Sequence, residues 1–270
     1  MTNPRVRRAL GWLAAAAVAA LVAPWFAPHP PYEILANGTL GALPPSWAHP
    51  LGTDPLSRDV LSRLLFGARL SAGIALLAVT LALGIGSIVG TVAALGGRWM
   101  DVVLMRLTDA MLAFPRVLSL LLLVASFPSP SPTRLAVLIG VTGWMSTARL
   151  VRAETRRLMV SDHVRAAAAV GLPPTRVLRR HLLPSLAPTL LAAGTIALAA
   201  AIPLEAALSF LGLGVAVPTP SLGNIITDAQ GQILRLWWLV LFPVLTIIGS
   251  VFALNAVGET LLRAHRQEHE

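Results

Sequence analysis

Neither cysteine nor lysine occurs among the 270 residues. Without cysteine there is no disulfide, no thiolate metal site and no cysteine nucleophile. Without lysine there is no phosphate-binding P-loop, because that loop needs the lysine to reach the phosphates. The chain is therefore not a P-loop ATPase, although a separate one can drive it. Charge is scarce as well: 12% of residues are charged, against roughly 25% in soluble domains. That deficit excludes a chain wetted on all sides. There is one tyrosine and no basic patch interleaved with aromatics, which argues against nucleic acid as a partner.

What fills the sequence instead is apolar: 56% of residues are hydrophobic. A bilayer core about 30 Å thick is crossed by roughly 20 apolar residues in a helix. Six stretches meet or approach that requirement: Leu10 to Ala27, Leu70 to Leu95, Val102 to Phe127, Leu135 to Leu150, Leu186 to Leu213 and Leu236 to Val257. The expected fold is all-α, a polytopic membrane protein of about six transmembrane helices. The first stretch has a rival reading as a signal peptide. Its length, and the Pro24-Trp25-Phe26 end, suit an interfacial helix terminus better.

All 21 basic residues are arginine, and they are unevenly spread. Arg5, Arg7 and Arg8 precede the first stretch, and eight arginines lie between 149 and 180, opposed there by Glu154 and Asp162. Segments 28–68, 128–134 and 214–235 hold only Arg58, Arg63, Arg134 and Arg235. Arginine retained on the cytoplasmic side predicts both termini inside. The expected organisation is a first helix with its external segment over 1–68, a transmembrane domain over 69–260 and a cytoplasmic tail over 261–270. Pro55 to Arg69 reads as an amphipathic surface helix, with Val60, Leu61, Leu64 and Leu65 opposite Arg58 and Arg63. Asp54 is its expected N-cap and Pro55 its first residue.

The loop over 152–184 carries the most information. Ser161 or Asp162 can cap a short helix that the alanines 166–169 propagate, and Gly171 can end it in the left-handed conformation. Pro173 and Pro174 forbid continuation, and Pro174 can start a second helix, Thr175 to Leu183, ending at Pro184. Its Val177, Leu178 and Leu182 oppose Arg176, Arg179 and Arg180. A short alanine-surfaced helix lets another protein approach its backbone closely. Composition alone leaves two readings, a docking knob or a mere inter-helix loop.

The loop resembles the cytoplasmic signature of the inner-membrane permeases of dipeptide, oligopeptide and nickel ABC importers. That signature is Glu-Ala-Ala, three residues, Gly, nine residues, Ile, one residue, Leu-Pro. Ala166, Ala167, Gly171, Leu183 and Pro184 match it in register; Arg165 stands where the signature has Glu, and His181 where it has Ile. His49-Pro50-Leu51-Gly52-Thr53-Asp54 with Ser57-Arg58-Asp59-Val60 and Gly67-Ala68-Arg69 is similar to the family's segment before its second span. Glu205 to Gly214, followed by Pro220-Ser221-Leu222-Gly223, is similar to its fifth span and following loop. The resemblance covers roughly residues 45 to 260. It implies the fold of a type I ABC importer permease in the bacterial inner membrane. It implies pairing with a second homologous permease, two cytoplasmic ATP-binding subunits and an extracytoplasmic solute-binding protein, with no cofactor and no enzymatic activity. It also implies that Asp162, Val164, Arg165, Ala166, Ala167, Gly171, Leu183 and Pro184 couple the chain to the ATPase.

Several residues fall outside that match. Glu205 inside a span costs at least about 2.5–3.5 kcal/mol on insertion scales. It reads either as a pathway residue or as a structural partner for arginine or backbone at the permease interface; the second is favoured. Arg106 and Asp109 share a helix face and are expected to pair. Arg116 after Pro115 suggests snorkelling or a pathway role. His163 and His181 lack a third metal ligand at sensible spacing, and His265, Glu268, His269 and Glu270 read as a solvated tail. Gly86 and Gly90 form a small-residue pair suited to close helix packing, with the partner helix unspecified. Among rival functions, an intramembrane hydrolase lacks a base within any span, since all six histidines fall in loops or tails. A secondary transporter needing no ATPase predicts inverted repeats and more intramembrane charge, neither of which is visible. A membrane scaffold leaves the loop signature unexplained.

Overall fold

A computed structural model of the chain describes Trp25 and residues 27–34, 41–127 and 131–267. Most of the first expected span, together with Glu268, His269 and Glu270, lies outside the described residues. The rest is a helical bundle. Its helices in chain order are α1 (Val60–Leu95), α2 (Gly97–Ala113), α3 (Arg116–Ala125), α4 (Pro132–Val141), α5 (Trp144–Met159), α6 (Asp162–Ala169), α7 (Pro174–Val177), α8 (Leu183–Phe210), α9 (Leu222–Thr227) and α10 (Trp238–Gln267). A single wide turn of π-helix, Leu178–Leu182, joins α7 to α8. Helix α1, the continuous run Thr175–Phe210 and α10 are long and apolar enough to cross a membrane.

Two expected spans are broken. Val102 to Phe127 becomes α2 and α3, bent by 81°. The cause is Pro115, which has no amide to donate and pushes Phe114 into extended backbone, φ −84° and ψ 135°. Leu135 to Leu150 becomes α4 and α5, interrupted at Thr142-Gly143. Arg116, first residue of α3, fills that interruption. Its Nη2 donates to the Ile139 carbonyl at 3.0 Å, a cation at the C-terminal end of α4 sharing that acceptor with the Thr142 hydroxyl at 3.3 Å.

Helix α1 is the axis of the bundle. It packs along α4 and α5 on one side and along α8 on the other. Gly86 and Gly90 make the first contact possible. A Cβ at Gly86 would come within 2.7 Å of the Trp144 carbonyl, and one at Gly90 within 2.5 Å of the Ala148 carbonyl. The partner of the small-residue pair is thus α5 of the same chain. Across α8, Ala75 and Val79 meet Ala199, Ala201, Ile202 and Ala206. Each CH₂ buried there contributes about 0.8 kcal/mol.

The segment before α1 departs from the amphipathic expectation. Among the described residues there is no separate surface helix: α1 starts at Val60 and runs through residue 69 without a break. Its N-cap is Asp59, whose Oδ2 accepts from the Ser62 amide at 2.8 Å. Asp54 instead closes a turn, accepting from the amides of Leu56 and Arg58, both at 2.9 Å. Arg58 and Arg63 are not on a wet face but buried, Arg63 completely.

Candidate functional site

Helix α6 sits at the end of the bundle where α1 and α5 finish and α8 begins. It has two faces. Val164 and Ala167 are buried, and Val164 joins a cluster with Val151, Leu158, Val177, Leu182 and Leu186. Asp162, His163, Arg165 and Ala166 are exposed, as is Val170. The helix is too short to be stable alone, so its apolar side holds it to α5 and to the turn before α8. The Ser161 hydroxyl does not cap it; it donates back to the Leu158 carbonyl of α5. The far end closes as expected: Gly171 has φ +83°, and the Leu172 amide reaches the Ala167 carbonyl at 3.3 Å. A Cβ on Gly171 would meet nothing within 4 Å, so its backbone conformation, not lack of space, requires glycine.

After Gly171 the chain re-enters a helix at Pro174. Val177 and Leu182 face inward, and Arg176, Arg179 and Arg180 face outward. Pro184 does not end this helix. The Leu183 amide reaches back five residues to the Leu178 carbonyl, and this wide turn precedes the residue that has no amide. Leu183 and Pro184 are both exposed. The rings of His163 and His181 stand 6.5 Å apart. Arg165, in the position where the signature has Glu, forms no ion pair among the described residues.

Ion pairs brace the neighbouring helices. Arg152 of α5 grips the Asp101 carboxylate of α2 with two nitrogens, and Arg156 joins at 2.8 Å. Asp109 pairs with Arg149 of α5 rather than with Arg106, which is exposed. The expected Arg106–Asp109 pair fails because a longer-range partner reaches the carboxylate from the adjacent helix.

Deeper in the bundle, Glu205 is completely buried. Its Oε1 accepts from Ser209 Oγ at 2.7 Å, whereas its Oε2, like the Ser71 hydroxyl of α1, is buried without a hydrogen-bond partner. Among the described residues its hydrogen-bond partner is a hydroxyl of its own helix, not an arginine. Ser209 Oγ also accepts from the Val215 amide at 3.2 Å. A Cβ at Gly214 or Gly223 would collide with Ser209. Glu205 to Gly214 and Pro220 to Gly223 therefore form one packed unit, where α9 tucks under the end of α8.

The opposite end of the bundle holds a buried charge cluster that sequence reasoning placed on a wet surface. Asp54 receives Arg58 Nε at 2.6 Å and Arg63 Nη1, and Asp228, just after α9, receives both arginines. Trp238 Nε1 donates to the Thr53 carbonyl at 3.0 Å, pinning the start of α10 to the same loop. The spacing of Asp54, Arg58 and Arg63 was visible in the sequence; the partner 165 residues or more away was not.

Comparisons with known proteins agree with this architecture. The family described as the binding-protein-dependent transport system inner membrane component matches residues 82–267. The chain is 38% identical to the di/tripeptide transport system permease protein DppC of Pseudomonas aeruginosa, over 90% of this chain and 81% of that protein. It is 38% identical to the dipeptide transport system permease protein DppC of Alkalihalophilus pseudofirmus, over 80% and 71%. It is 36% identical to a putative peptide permease protein of Brucella suis, over 90% and 80%. Among solved structures it resembles the inward-facing MetNI methionine ABC transporter, with TM-score 0.60 and 18% identity over 75% of this chain and 95% of that one, a likeness of fold. The chain belongs to the binding-protein-dependent transport system inner membrane components and is a multi-pass inner-membrane permease subunit of an ABC importer.

Proposed function

We propose that this permease, paired with a second similar one, encloses a route for peptide-like solutes and receives its driving motion at α6 from separate ATP-binding subunits. The observation that carries the coupling reading is the two-faced α6: Val164 and Ala167 anchor it, while Asp162, Arg165 and Ala166 face outward with side chains short enough, at Ala166, for close approach. Gly171 fixes the exit from that helix, and exposed Leu183 and Pro184 extend the same surface. Peptide-like cargo is supported by the names of the relatives, which transport dipeptides and tripeptides or are putative peptide permeases.

In this reading the α6 end faces the cytoplasm, as do both termini, and the Asp54–Asp228 end faces a solute-binding protein outside. Glu205 acts as an internal strut between α8 and α1. ATP-driven closure of the ATPases biases two states of the pathway, and α6 passes on that bias. Because the chain has no cysteine, Ala166→Cys introduces a unique thiol. It should react with an impermeant maleimide in inverted vesicles but not in intact spheroplasts, and should crosslink to the ATPase in the assembled complex. Labelling from the outer face, or crosslinks that never capture a nucleotide-binding subunit, would refute the coupling assignment.

A further inference from the structure

Beside the charge cluster, at the start of α1, three side chains converge that the transport reading does not use. His29, His49 and Asp59 each bring one possible ligand atom within 4.8 Å of the others. His49 and Asp59 are buried. We propose that His29, His49 and Asp59 form a site for one divalent transition cation of the zinc class, which pins the 27–34 segment to the α1 N-terminus.

One edge of the trio already has the spacing such an ion needs, and the third atom, within 4.8 Å, has only a short way to close. His49 Nδ1 and Asp59 Oδ1 stand 3.1 Å apart. Two ligands each about 2.0–2.1 Å from one tetrahedral ion stand roughly 3.3 Å apart. A cation can therefore replace the proton between them with little movement. His29 supplies the third ligand from another part of the chain. Its ring is tilted 43° to that of His49 with centroids 5.4 Å apart, and its Nδ1 is buried without a hydrogen-bond partner. Two histidines and one carboxylate are a donor set that binds zinc and leaves a position for water.

The surroundings hold these ligands in place. The Ser62 hydroxyl donates to Asp59 Oδ2 at 2.9 Å and accepts the backbone amide of His29 at 3.2 Å, so one side chain positions two ligands. His29 lies between Pro28 and Pro30-Pro31, whose fixed φ angles reduce the freedom lost on binding. The His49 amide donates to Ser46 Oγ at 3.2 Å, and its carbonyl accepts from the Gly52 amide at 2.8 Å.

The test uses the full chain purified without a histidine tag, stripped with chelator and titrated with zinc or cobalt(II) chloride. The expected result is one ion per chain, with cobalt giving the intense visible absorption of a four-coordinate site. His29→Gln, His49→Gln and Asp59→Asn should each weaken binding by about tenfold or more. Asp59→Asn keeps a side chain that caps α1 as well as aspartate does, so its loss of metal cannot be ascribed to loss of the helix start. The His163→Gln/His181→Gln double variant should bind as the parent chain does. The proposal is overturned if no ion is retained at micromolar zinc, if His29→Gln binds within twofold of the parent, or if binding follows His163 and His181. In those cases the trio is only a hydrogen-bonded latch.

Discussion

The two ends of this bundle are built by opposite means. At the α1 start, two arginines, two aspartates and Trp238 tie segments more than 160 residues apart through buried, directional contacts. At the other end, α6 is held by Val164 and Ala167, and its polar side chains face solvent. Buried ion pairs tolerate no loss of a partner, because the remaining charge stays desolvated. An apolar foothold tolerates substitution on its outer face and gives way locally when loaded. The first end suits a fixed frame, the second a part that is pushed.

Breaking the frame should have the largest effect. Asp54→Ala leaves Arg58 and Arg63 dependent on Asp228 and should destabilise the chain by about 3–5 kcal/mol, read as a lowered unfolding midpoint in detergent and reduced abundance in the membrane. Next comes the α1–α5 seam that joins the two ends. Gly90→Val places a side chain against the Ala148 carbonyl and Val151, and overpacking of this kind costs about 1–3 kcal/mol. The same unfolding measurement should show it, with Gly73→Val, in open space, as the contrast. Smaller still, Gly171→Ala imposes a left-handed alanine, about 1–2 kcal/mol. That strain should appear as faster hydrogen exchange over 162–172 while the bundle keeps its midpoint. The smallest effect on stability is expected from Ala166→Arg, within about 0.5 kcal/mol. If α6 is the driven part, this variant should nevertheless abolish solute-stimulated ATP hydrolysis by the complex. An Ala166→Arg transporter with normal coupling would erase the functional side of the contrast.

The sequence exposes these two ends unequally. Helix α6 was legible because its signals are local: an alanine run, a glycine at its end, and two prolines beyond. The apolar spans were legible for the same reason, being runs of composition. The breaks were harder to see. Pro115 was plainly a helix breaker, yet the apolar run around it reads as one span. At Thr142-Gly143 the interruption is filled by Arg116, which reaches across from another helix. Arg58 and Arg63 misled because an arginine opposite an apolar stripe ordinarily faces water. Asp54 pairs with both, but the second carboxylate that balances two buried arginines is Asp228, far along the chain. The expected Arg106–Asp109 pair failed in the same way, because Asp109 pairs with Arg149, a partner no local pattern can reveal.

The wide turn at Leu178–Leu182 has a mechanical consequence. Because it absorbs Pro184 without interrupting the helix, Thr175–Phe210 is one continuous helix of 36 residues, about 54 Å long if straight, with Pro188 and Pro203 inside it. A tilt of about 5° swings one tip by roughly 5 Å relative to the other. Pro188 and Pro203 lie between Arg180 and Glu205 and each removes a backbone hydrogen bond, so a displacement entering beside Arg179 and Arg180 reaches Glu205, and the corner where α9 is lodged, through a helix that can bend at two fixed points rather than through loop rearrangements.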